Sequence, residues 1–482
     1  MYLGIDVGTS SLKALLSDDK GNIIDSESCE YPLLLPKENW AEQNPDDWFN
    51  AQVKVIKALG KRHDLTKING VSFCGQMHGL VLLDKNDKVI RPALLWNDNR
   101  TVNECNYLNN VVGQSKLIAW TGNIAFTGFT APKILWIKNN ERSNFAKISK
   151  IMLPKDYTAY KMTGVFASDY SDGSGTLYMD VKHKTWSKKM LDVLGINETQ
   201  LPKLYESYQP VGNVSKQFAQ LTGMSTKTKV IIGGGDQAVG AVGTGTVGDN
   251  QLCISLGTSG VVFASCNHFA EIASGAMHSF VHANGKYHVM GVMLSAAGSF
   301  NWWRKEILHD HDFKALEQEI NKASATNLYF LPYLSGERSP INDPNARGAF
   351  SGITLSHTRG DLTRAVIEGV NFGLFDCLKS INAIGISPKS ARVIGGGSKS
   401  KAWLQNLADI LGIKLHIINT SDGGGLGAII LAMTGCGEFK NVEEGCNKII
   451  KNVQTFTPNA KQHRYYLEKF KQFKNLYQAL KK

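Results

Sequence analysis

Several features that define whole classes of protein are missing from this sequence. Its eight cysteines are scattered and form no Cys-x-x-Cys pair, which argues against a disulfide scaffold or a structural zinc site and suits a reducing compartment. No apolar run approaches the roughly 18 residues that cross a membrane. Residues 1–5 lead directly into a strand, so no signal peptide is recognisable. We therefore expect a cytoplasmic protein that does not bind membranes.

A motif for binding nucleic acid is also missing, although the net charge is +11. Much of this charge lies in the last segment, at Lys461, Arg464, Lys469, Lys471, Lys474, Lys481 and Lys482. Apolar residues recur there at steps of three and four, as in an amphipathic helix: Tyr466, Phe470, Phe473, Tyr477 and Leu480. We interpret the basic residues as its solvated face and expect no nucleic-acid partner.

What is present is a glycine turn that occurs twice. Residues 1–5 and 12–17 read as strands around Gly8-Thr9-Ser10, and residues 251–264 repeat the pattern around Gly257-Thr258-Ser259. The alignment pairs Asp6 with Ser255, so only the first turn carries an acid. Such turns can offer backbone N–H groups and hydroxyls to a phosphate. One acid beside two such turns predicts a metal-nucleotide held between related halves; two ordinary glycine hairpins are the alternative.

A second repeated unit supports a duplication. A β-branched strand, a triple glycine and a helix follow one another at residues 229–240 and again at 391–410. With 482 residues, the chain is also too long for one ordinary core. We predict an α/β protein with domains at residues 1–245 and 246–482, and with its active cleft between them at the carboxyl ends of strands.

Two acids and one lysine are the candidates for phosphate chemistry. Asp236 begins a helix after a buried strand, and a carboxylate there could accept the proton of a hydroxyl during phosphoryl transfer. A plain helix cap is the alternative. Asp6 suits a hard cation, or else holds the hairpin turn. Lys13, on the second strand of the hairpin, would approach a phosphate or lie on the surface.

Three loops are candidate binding segments. In residues 75–79, His78 could hydrogen-bond sugar hydroxyls and Met77 could pack on the carbon chain, although a lone loop histidine is often structural. The triple glycine 395–397 would let a purine or sugar approach bare backbone. Residues 336–348 form either a binding loop or a long structured connection.

These motifs together resemble the FGGY carbohydrate kinases. The matching stretches run in order from residue 4 to about 412: residues 4–13, 40–45, 75–79, 235–236, 256–260, 336–338 with 346–348, and 395–398. The resemblance implies two ribonuclease-H-like domains of the actin/hexokinase/Hsp70 ATPase type, with an interdomain cleft that closes over substrates. It also allows a homodimer, since many relatives are dimers.

The resemblance implies ATP-dependent phosphorylation of D-xylulose at its 5-hydroxyl, with ATP and Mg²⁺. By position, Asp236 is similar to the catalytic base and Asp6 to the acid near Mg²⁺, and both are predicted metal ligands. Met77 and His78 match the sugar-contacting pair, joined by Asp236 and by Gln237, which stands where Asn is common. The residues predicted to bind the nucleotide are Gly8, Thr9, Ser10, Lys13, Thr258, Asn301, Gly396, Gly397 and Ser400.

The sequence departs from the family at residues 422–427, where a glycine-rich run replaces an Ala-rich stretch and predicts a looser helix start. Kinases for ribulose, gluconate or glycerol remain alternatives. So does an actin-like chaperone or filament protein, which would hydrolyse ATP without a sugar. A sugar-sensing regulator would need a DNA-binding segment, and no helix-turn-helix extension is recognisable.

Overall fold

Two seven-stranded sheets organise the chain in a computed structural model that describes residues 1–310, 312–323, 327–420 and 422–481. The strands of the first sheet are β1 (Tyr2–Val7), β2 (Ser11–Ser17), β3 (Ile23–Glu30), β4 (Gly70–Gly75), β5 (Pro210–Asn213), β6 (Lys229–Ile231) and β7 (Gly234–Gly235). Their order is β5-β6-β4-β1-β2-β3, with β7 paired to β4.

The second sheet repeats this arrangement. Its strands are β8 (Gln251–Leu256), β9 (Gly260–Cys266), β10 (His278–Val281), β11 (Tyr287–Met293), β12 (Ser390–Ile394), β13 (Lys414–Ile418) and β14 (Asn452–Phe456), in the order β10-β11-β9-β8-β12-β13-β14. In both sheets an antiparallel hairpin, β1–β2 or β8–β9, lies beside a parallel strand, β4 or β12. Both predicted glycine-turn hairpins are thereby confirmed.

Helices surround the sheets. In the first half they are Pro45–Gly60, Val102–Asn106, Gln114–Thr121, Thr130–Asn140, Arg142–Phe145, Pro154–Thr163, Tyr170–Gly173, Lys188–Leu194, Lys216–Thr222 and Asp236–Gly243. In the second half they are Ala297–Trp302, Phe313–Lys322, Arg359–Ala383, Lys401–Leu411, Gly423–Cys436, Val442–Ile449 and Ala460–Leu480. Within the described ranges, none of these helices is long and apolar enough to cross a membrane.

Short elements complete the chain. The 3₁₀ segments are Leu65–Lys67, Ser174–Thr176, Glu198–Gln200 and Gly396–Lys399, and the π-helical segments are Tyr107–Gly113 and Trp303–Ile307. Two-stranded pairs join Glu42–Gln43 with Ala93–Leu94, Val81–Leu83 with Lys150–Met152, Ala167–Asp169 with Lys203–Tyr205, Met179–Asp180 with Thr185–Trp186, and Tyr329–Leu331 with Ala349–Ser351.

Two helices from different halves cross beside the first sheet. We call Asp236–Gly243 the acid helix and Gly423–Cys436 the glycine helix. A Cβ atom added at Gly243 would lie 1.9 Å from the carbonyl oxygen of Gly423, and one added at Gly427 would lie 1.9 Å from that of Val239. Only glycine permits such an approach of two backbones. The glycine run therefore sets how closely the halves meet.

The C-terminal helix Ala460–Leu480 has most of the predicted apolar stripe: Tyr466, Phe473 and Tyr477 are buried and Phe470 is partly buried, whereas Leu480 is exposed. The interpretation of its lysines as solvated is wrong for Lys469. This side chain is buried, and its Nζ lies 2.6 Å from Oε2 of Glu368, a buried carboxylate on the helix Arg359–Ala383. A counter-charge brought from a distant helix is what allows the burial. Lys482 lies outside the described residues.

Candidate active site

A cavity of about 210 Å³ lies between the two sheets. Both halves of the chain line it, through Asp6, Cys74, Asp236, Gln237, Gly240, Ala241, Cys253, Ser255, Val261, Phe263, Ile394, Gly423 and Gly424. The two predicted catalytic acids therefore face the same space, together with Gln237 and with Ser255, the counterpart of Asp6 in the second hairpin.

Asp236 is delivered by the short strand β7, which pairs in parallel with the end of β4. It is the first residue of the acid helix, and Gly235 occupies the N-cap position that the sequence had offered to the acid. A Cβ atom at Gly235 would lie 2.9 Å from Cγ of Met77, so glycine is needed there. Burial and the nearby charge of Asp6 raise the pKa of Asp236 to about 7, while hydrogen bonds from Gln237 oppose the shift.

Asp6 lies near the end of β1, opposite Lys13 on β2 and beside Cys74 on β4. Burial raises the pKa of Asp6 to about 6; the charge of Asp422 adds to the shift, and Cys74 and Lys13 oppose it. Two half-buried carboxylates that face one cavity fit a divalent cation, since neither has a positive charge sufficient to neutralise it. In the part of the chain that the structure describes, no group of three or more potential ligands forms a protein-only metal site.

Lys13 spans the cleft to the second half. Its Nζ lies 2.6 Å from Oδ2 of Asp422, and Oδ1 of Asp422 accepts the N–H of Gly425 at 2.9 Å. The glycine helix therefore begins with a capped turn, and not with the looser start expected from its glycines. A Cβ atom at Gly424 would lie 2.8 Å from Oδ2 of Asp6, so the absence of a side chain at Gly424 lets the first turn of the helix lie against the carboxylate of Asp6.

The turn that holds Gly8, Thr9 and Ser10 is fixed by side chains from other parts of the first half. Gln76 Nε2 donates to the carbonyl oxygen of Gly8 at 3.2 Å, and Gln43 Nε2 donates to that of Thr9 at 2.6 Å. The hydroxyl of Thr9 donates to Gln76 Oε1 at 3.2 Å and accepts from Trp96 Nε1 at 2.9 Å. The two glutamines lie in stretches that carry the family resemblance, but no sequence signal pointed to Trp96.

His78 is held in an unusual backbone conformation, with φ of 68°. Its carbonyl oxygen accepts from Lys133 Nζ at 2.8 Å and from Thr130 Oγ1 at 3.2 Å. Its Nδ1 lies 2.7 Å from the carbonyl oxygen of Gly175, and its ring packs 4.7 Å from that of Phe129. Burial, and then the charge of Lys133, lower the pKa of His78 to about 3.

The imidazole of His78 is therefore neutral at physiological pH. Nδ1 carries the proton because it faces a carbonyl oxygen, which leaves Nε2 as an acceptor. Met77, next to it, is buried against Gly175 and Gly235. The predicted sugar-contacting pair thus adjoins the strand that delivers Asp236. Lys133, which positions His78, could not be found from the sequence because it is 55 residues away along the chain.

The second glycine turn, which is predicted to bind the nucleotide, rests on the helix Ala297–Trp302. The carbonyl oxygen of Thr258 accepts the N–H groups of Ala296 at 2.9 Å and Gly298 at 3.1 Å. The Thr258 side chain is exposed, as is Asn301 near the end of that helix. The turn is therefore available to a phosphate, while Asn301 lies apart from the cavity-lining residues.

The triple glycine 395–397 follows β12 as predicted. Gly396 is exposed with no atom within 4 Å of an added Cβ, whereas Gly397 is buried against Leu256. Ser400 caps the helix Lys401–Leu411, since its Oγ accepts the N–H of Trp403 at 3.2 Å and donates to Glu317 at 2.6 Å. Its hydroxyl is engaged in that cap, whereas Gly396 presents open backbone.

Residues 336–348 form the structured connection that was one of the two roles left open by the sequence. Oε1 of Glu337 accepts the N–H groups of Leu294 and Arg338, each at 2.8 Å, so the segment is a structured connection. The guanidinium of Arg338 lies 5.5 Å from the ring of Phe126, the first of a row of aromatic rings that continues to His78. Arg338 thus lies, from the second half, beside the aromatic rings that adjoin His78.

Comparisons with known proteins give one consistent result. The model described as "FGGY family of carbohydrate kinases, N-terminal domain" matches residues 1–243, and the model of the family's C-terminal domain matches residues 252–436. A xylulose kinase from Escherichia coli (strain K12) is 42% identical over 484 residues, which cover 100% of this chain and 99% of the relative.

Solved structures share the whole architecture. A xyloylose kinase from Brucella ovis has a TM-score of 0.95 at 36% identity and covers 99% of each chain. A gluconate kinase from Lactobacillus acidophilus also has a TM-score of 0.95, at 29% identity, covering 99% of this chain and 98% of its own. These likenesses confirm the predicted α/β fold with two domains of the actin/hexokinase/Hsp70 type.

Proposed function

This chain belongs to the FGGY family of carbohydrate kinases, and we propose that it transfers the γ-phosphoryl group of ATP to D-xylulose, forming D-xylulose 5-phosphate. The observation that carries the substrate is the identity to xylulose kinases along the full chain. The fold does not decide the sugar, because a gluconate kinase has the same TM-score as a xyloylose kinase. The enzyme is a phosphotransferase with an alcohol group as acceptor.

Asp236 takes the proton of the 5-hydroxyl as that oxygen attacks the γ-phosphorus. Its position supports this role, since it faces the cleft from a helix start and adjoins Met77 through Gly235. Gln237, which also lines the cavity, holds the carboxylate by hydrogen bonding. Proton acceptance by a fixed carboxylate contributes about 10²- to 10⁴-fold to such rates.

The sugar would lie against Met77 and His78. Met77 offers an apolar surface to the carbon chain, and Nε2 of the neutral His78 can accept a hydrogen bond from a sugar hydroxyl. The bond from Nδ1 to Gly175 and the contacts on the carbonyl oxygen fix the ring before substrate arrives. Such pre-organisation reduces the entropy lost on binding.

The two glycine turns would hold the phosphates of ATP, with Lys13 and Thr258 beside them. Asp6 and Asp236 are the residues that would hold Mg²⁺, and their shared cavity fits this assignment. When bound, the ion supplies positive charge that stabilises the transferring phosphoryl group. Closure of the halves would exclude water and so limit ATP hydrolysis without a sugar. The adenosine would reach the open backbone at Gly396.

The eight cysteines are all free thiols. This suits a reducing compartment, and we place the enzyme in the cytoplasm on that ground.

The test is the rate of ADP release with and without D-xylulose, ribulose, gluconate and glycerol. We expect a large increase with D-xylulose, and a loss of about 10³-fold or more in Asp236→Asn with ATP binding retained. Near-normal turnover in that variant would refute the role of Asp236. Turnover without any sugar would favour the actin-like alternative, and a preference for another acceptor would reassign the substrate.

A further inference from the structure

A fully buried polar cluster lies behind the strand that delivers Asp236, and no sequence motif pointed to it. It consists of Lys155, Asp156, Asp169, Ser171, Asp172 and Ser207, each at most 1% exposed. Burial of so many polar groups is costly unless they are paired and placed for a purpose. None of them lines the cavity described above.

The carboxylate of Asp169 is the centre of the cluster. Its Oδ2 accepts the hydroxyl of Ser171 at 2.5 Å and the hydroxyl of Ser207 at 2.6 Å. Its Oδ1 lies 2.9 Å from Nζ of Lys155, which also binds Asp156 at 2.5 Å. One oxygen of Asp169 therefore holds both serine hydroxyls.

Only one of the two serine hydroxyls bonds to the strand that delivers Asp236. Oγ of Ser171, whose proton goes to Asp169, accepts the backbone N–H of Gly235 at 3.2 Å. A Cβ atom at Gly234 would lie only 2.4 Å from that same Oγ. The strand before Asp236 is thus held by Ser171 on one side and by Met77 on the other.

Residues 171–175, the segment that begins with Ser171, also contact two other parts of the structure. The carbonyl oxygen of Gly175 faces Nδ1 of His78 at 2.7 Å. Oγ of Ser174 donates to the carbonyl oxygen of Ser171 at 2.6 Å and accepts the N–H of Val281, in the second half, at 3.2 Å. Residues 171–175 therefore contact the peptide that precedes Asp236, the ring of His78 and a strand of the second half.

We propose that Ser171, held by Asp169, is a positioning residue that fixes the peptide before Asp236 and so aims its carboxylate at the acceptor hydroxyl. This inference rests on the proposed role of Asp236 as the base. Loss of the contact shifts the carboxylate without removing a group that touches substrate. Misplacement of about 1 Å at a reacting group costs on the order of 10²-fold in rate.

Ser207 offers a matched control. Its hydroxyl is equally buried, donates to the same oxygen of Asp169 at nearly the same distance and lies 3.3 Å from Oγ of Ser171, but it makes no hydrogen bond to Gly235. Both Ser171→Ala and Ser207→Ala should lower Tm, since each removes one bond to the same carboxylate, and Ser171→Ala should lower it more because it also leaves the buried N–H of Gly235 without its acceptor. Their effects on turnover should differ.

The experiment compares the full-length variants in steady-state assays with D-xylulose and ATP. We expect Ser171→Ala to lower kcat by about 10- to 100-fold with KM for the sugar within about 2-fold, and Ser207→Ala to leave both within about 2-fold. Hydrogen exchange of the peptide that contains Gly235 should speed up only in Ser171→Ala. Ser171→Cys, which keeps a weak acceptor, should recover part of kcat.

Equal losses of kcat in the two alanine variants would overturn the inference, as would a loss in Ser171→Ala that follows KM or Tm alone. If Ser171→Ala does not fold, Ser171→Cys takes its place, and an unchanged kcat together with unchanged exchange at Gly235 would count against the proposal. The Asp236→Asn variant distinguishes failure of the premise, that Asp236 is the base, from failure of the positioning role of Ser171. Turnover in Asp236→Asn removes the premise, whereas inactivity there with a normal Ser171→Ala refutes only the positioning role.

Discussion

The ion pair between Lys13 and Asp422 allows two roles of Lys13 to be tested separately, one in stability and one in catalysis. Lys13 is predicted to contact a phosphate, yet its Nζ lies 2.6 Å from the carboxylate of Asp422. The two side chains are 43% and 26% exposed, so the pair is open to solvent. Exposed pairs of this kind contribute about 0.2–1 kcal/mol to stability. Breaking the pair alone should therefore change Tm little.

The phosphate role predicts a much larger effect on catalysis. A preorganised donor aimed at developing charge is worth about 10²- to 10³-fold in rate. Lys13→Met removes the ammonium and keeps the apolar stem, and we expect kcat/KM for ATP to fall by about 100-fold. Asp422→Asn breaks the same pair but leaves the ammonium, and asparagine also caps helices. We expect that variant to stay within about 3-fold of the parent.

The assay is ADP release at saturating D-xylulose over a range of ATP concentrations, with thermal unfolding of both variants as the control for folding. A difference of about 100-fold between two variants that lose the same ion pair isolates the ammonium. Equal losses of activity would show that Lys13 acts only through Asp422, and a large fall in Tm in either variant would show that the pair is structural. Either result would refute the reasoning.

Two further predictions concern stability. His282 is buried, its Nε2 donates to the carbonyl oxygen of Thr246 at 2.9 Å, and burial lowers its pKa from 6.5 to about 4. The unfolded chain therefore takes up a proton below pH 6.5 that the folded chain refuses, and stability falls as the pH drops, by about 2 kcal/mol at pH 5. His282→Gln keeps the donor without the titration, so its Tm should depend less on pH between 7.5 and 5; an unchanged dependence would contradict this. Lys469→Met removes the ammonium that lies 2.6 Å from Oε2 of Glu368, while Arg364 stays paired with Oε1 at 2.8 Å, so we expect destabilisation by about 2 kcal/mol. Lys471→Met breaks only the exposed pair with Glu468 and should not shift Tm, so similar shifts in the two variants would count against the argument.

The sequence was sufficient for the framework of the site because its signals are local. The strand predicted at residues 12–17 lies within β2 (Ser11–Ser17), and the glycine turn before it is where the alternation and turn chemistry placed it. Asp6, near the end of β1, and Asp236, directly after β7, face one cavity because the carboxyl ends of both strands point into the cleft. Periodicity, glycines and an acid at a strand end are all visible within ten residues.

What sequence reasoning missed depends on contacts between distant residues. Lys469 looked like any exposed lysine on an amphipathic helix, and only Glu368, 101 residues earlier, explains its burial. Ser171 meets Gly235 across 64 residues, and Lys133 meets His78 across 55. No local pattern distinguishes a serine or lysine that holds a distant backbone group from one that faces solvent. These supporting residues appear only once the chain is folded.

The crossing of the acid helix and the glycine helix sets the width of the active site. Where glycine meets backbone at Gly243 and Gly427, the spacing is that of two bare peptide chains, with no side chain between them. Asp236 is carried by one helix and Gly424, which touches Asp6, by the other. The separation of the two acids is therefore set by the contact distance between two backbones. Substitution of one core side chain for another cannot bring the two acids closer together. A single methyl group added at the crossing would push the two helices, and with them the acids, apart.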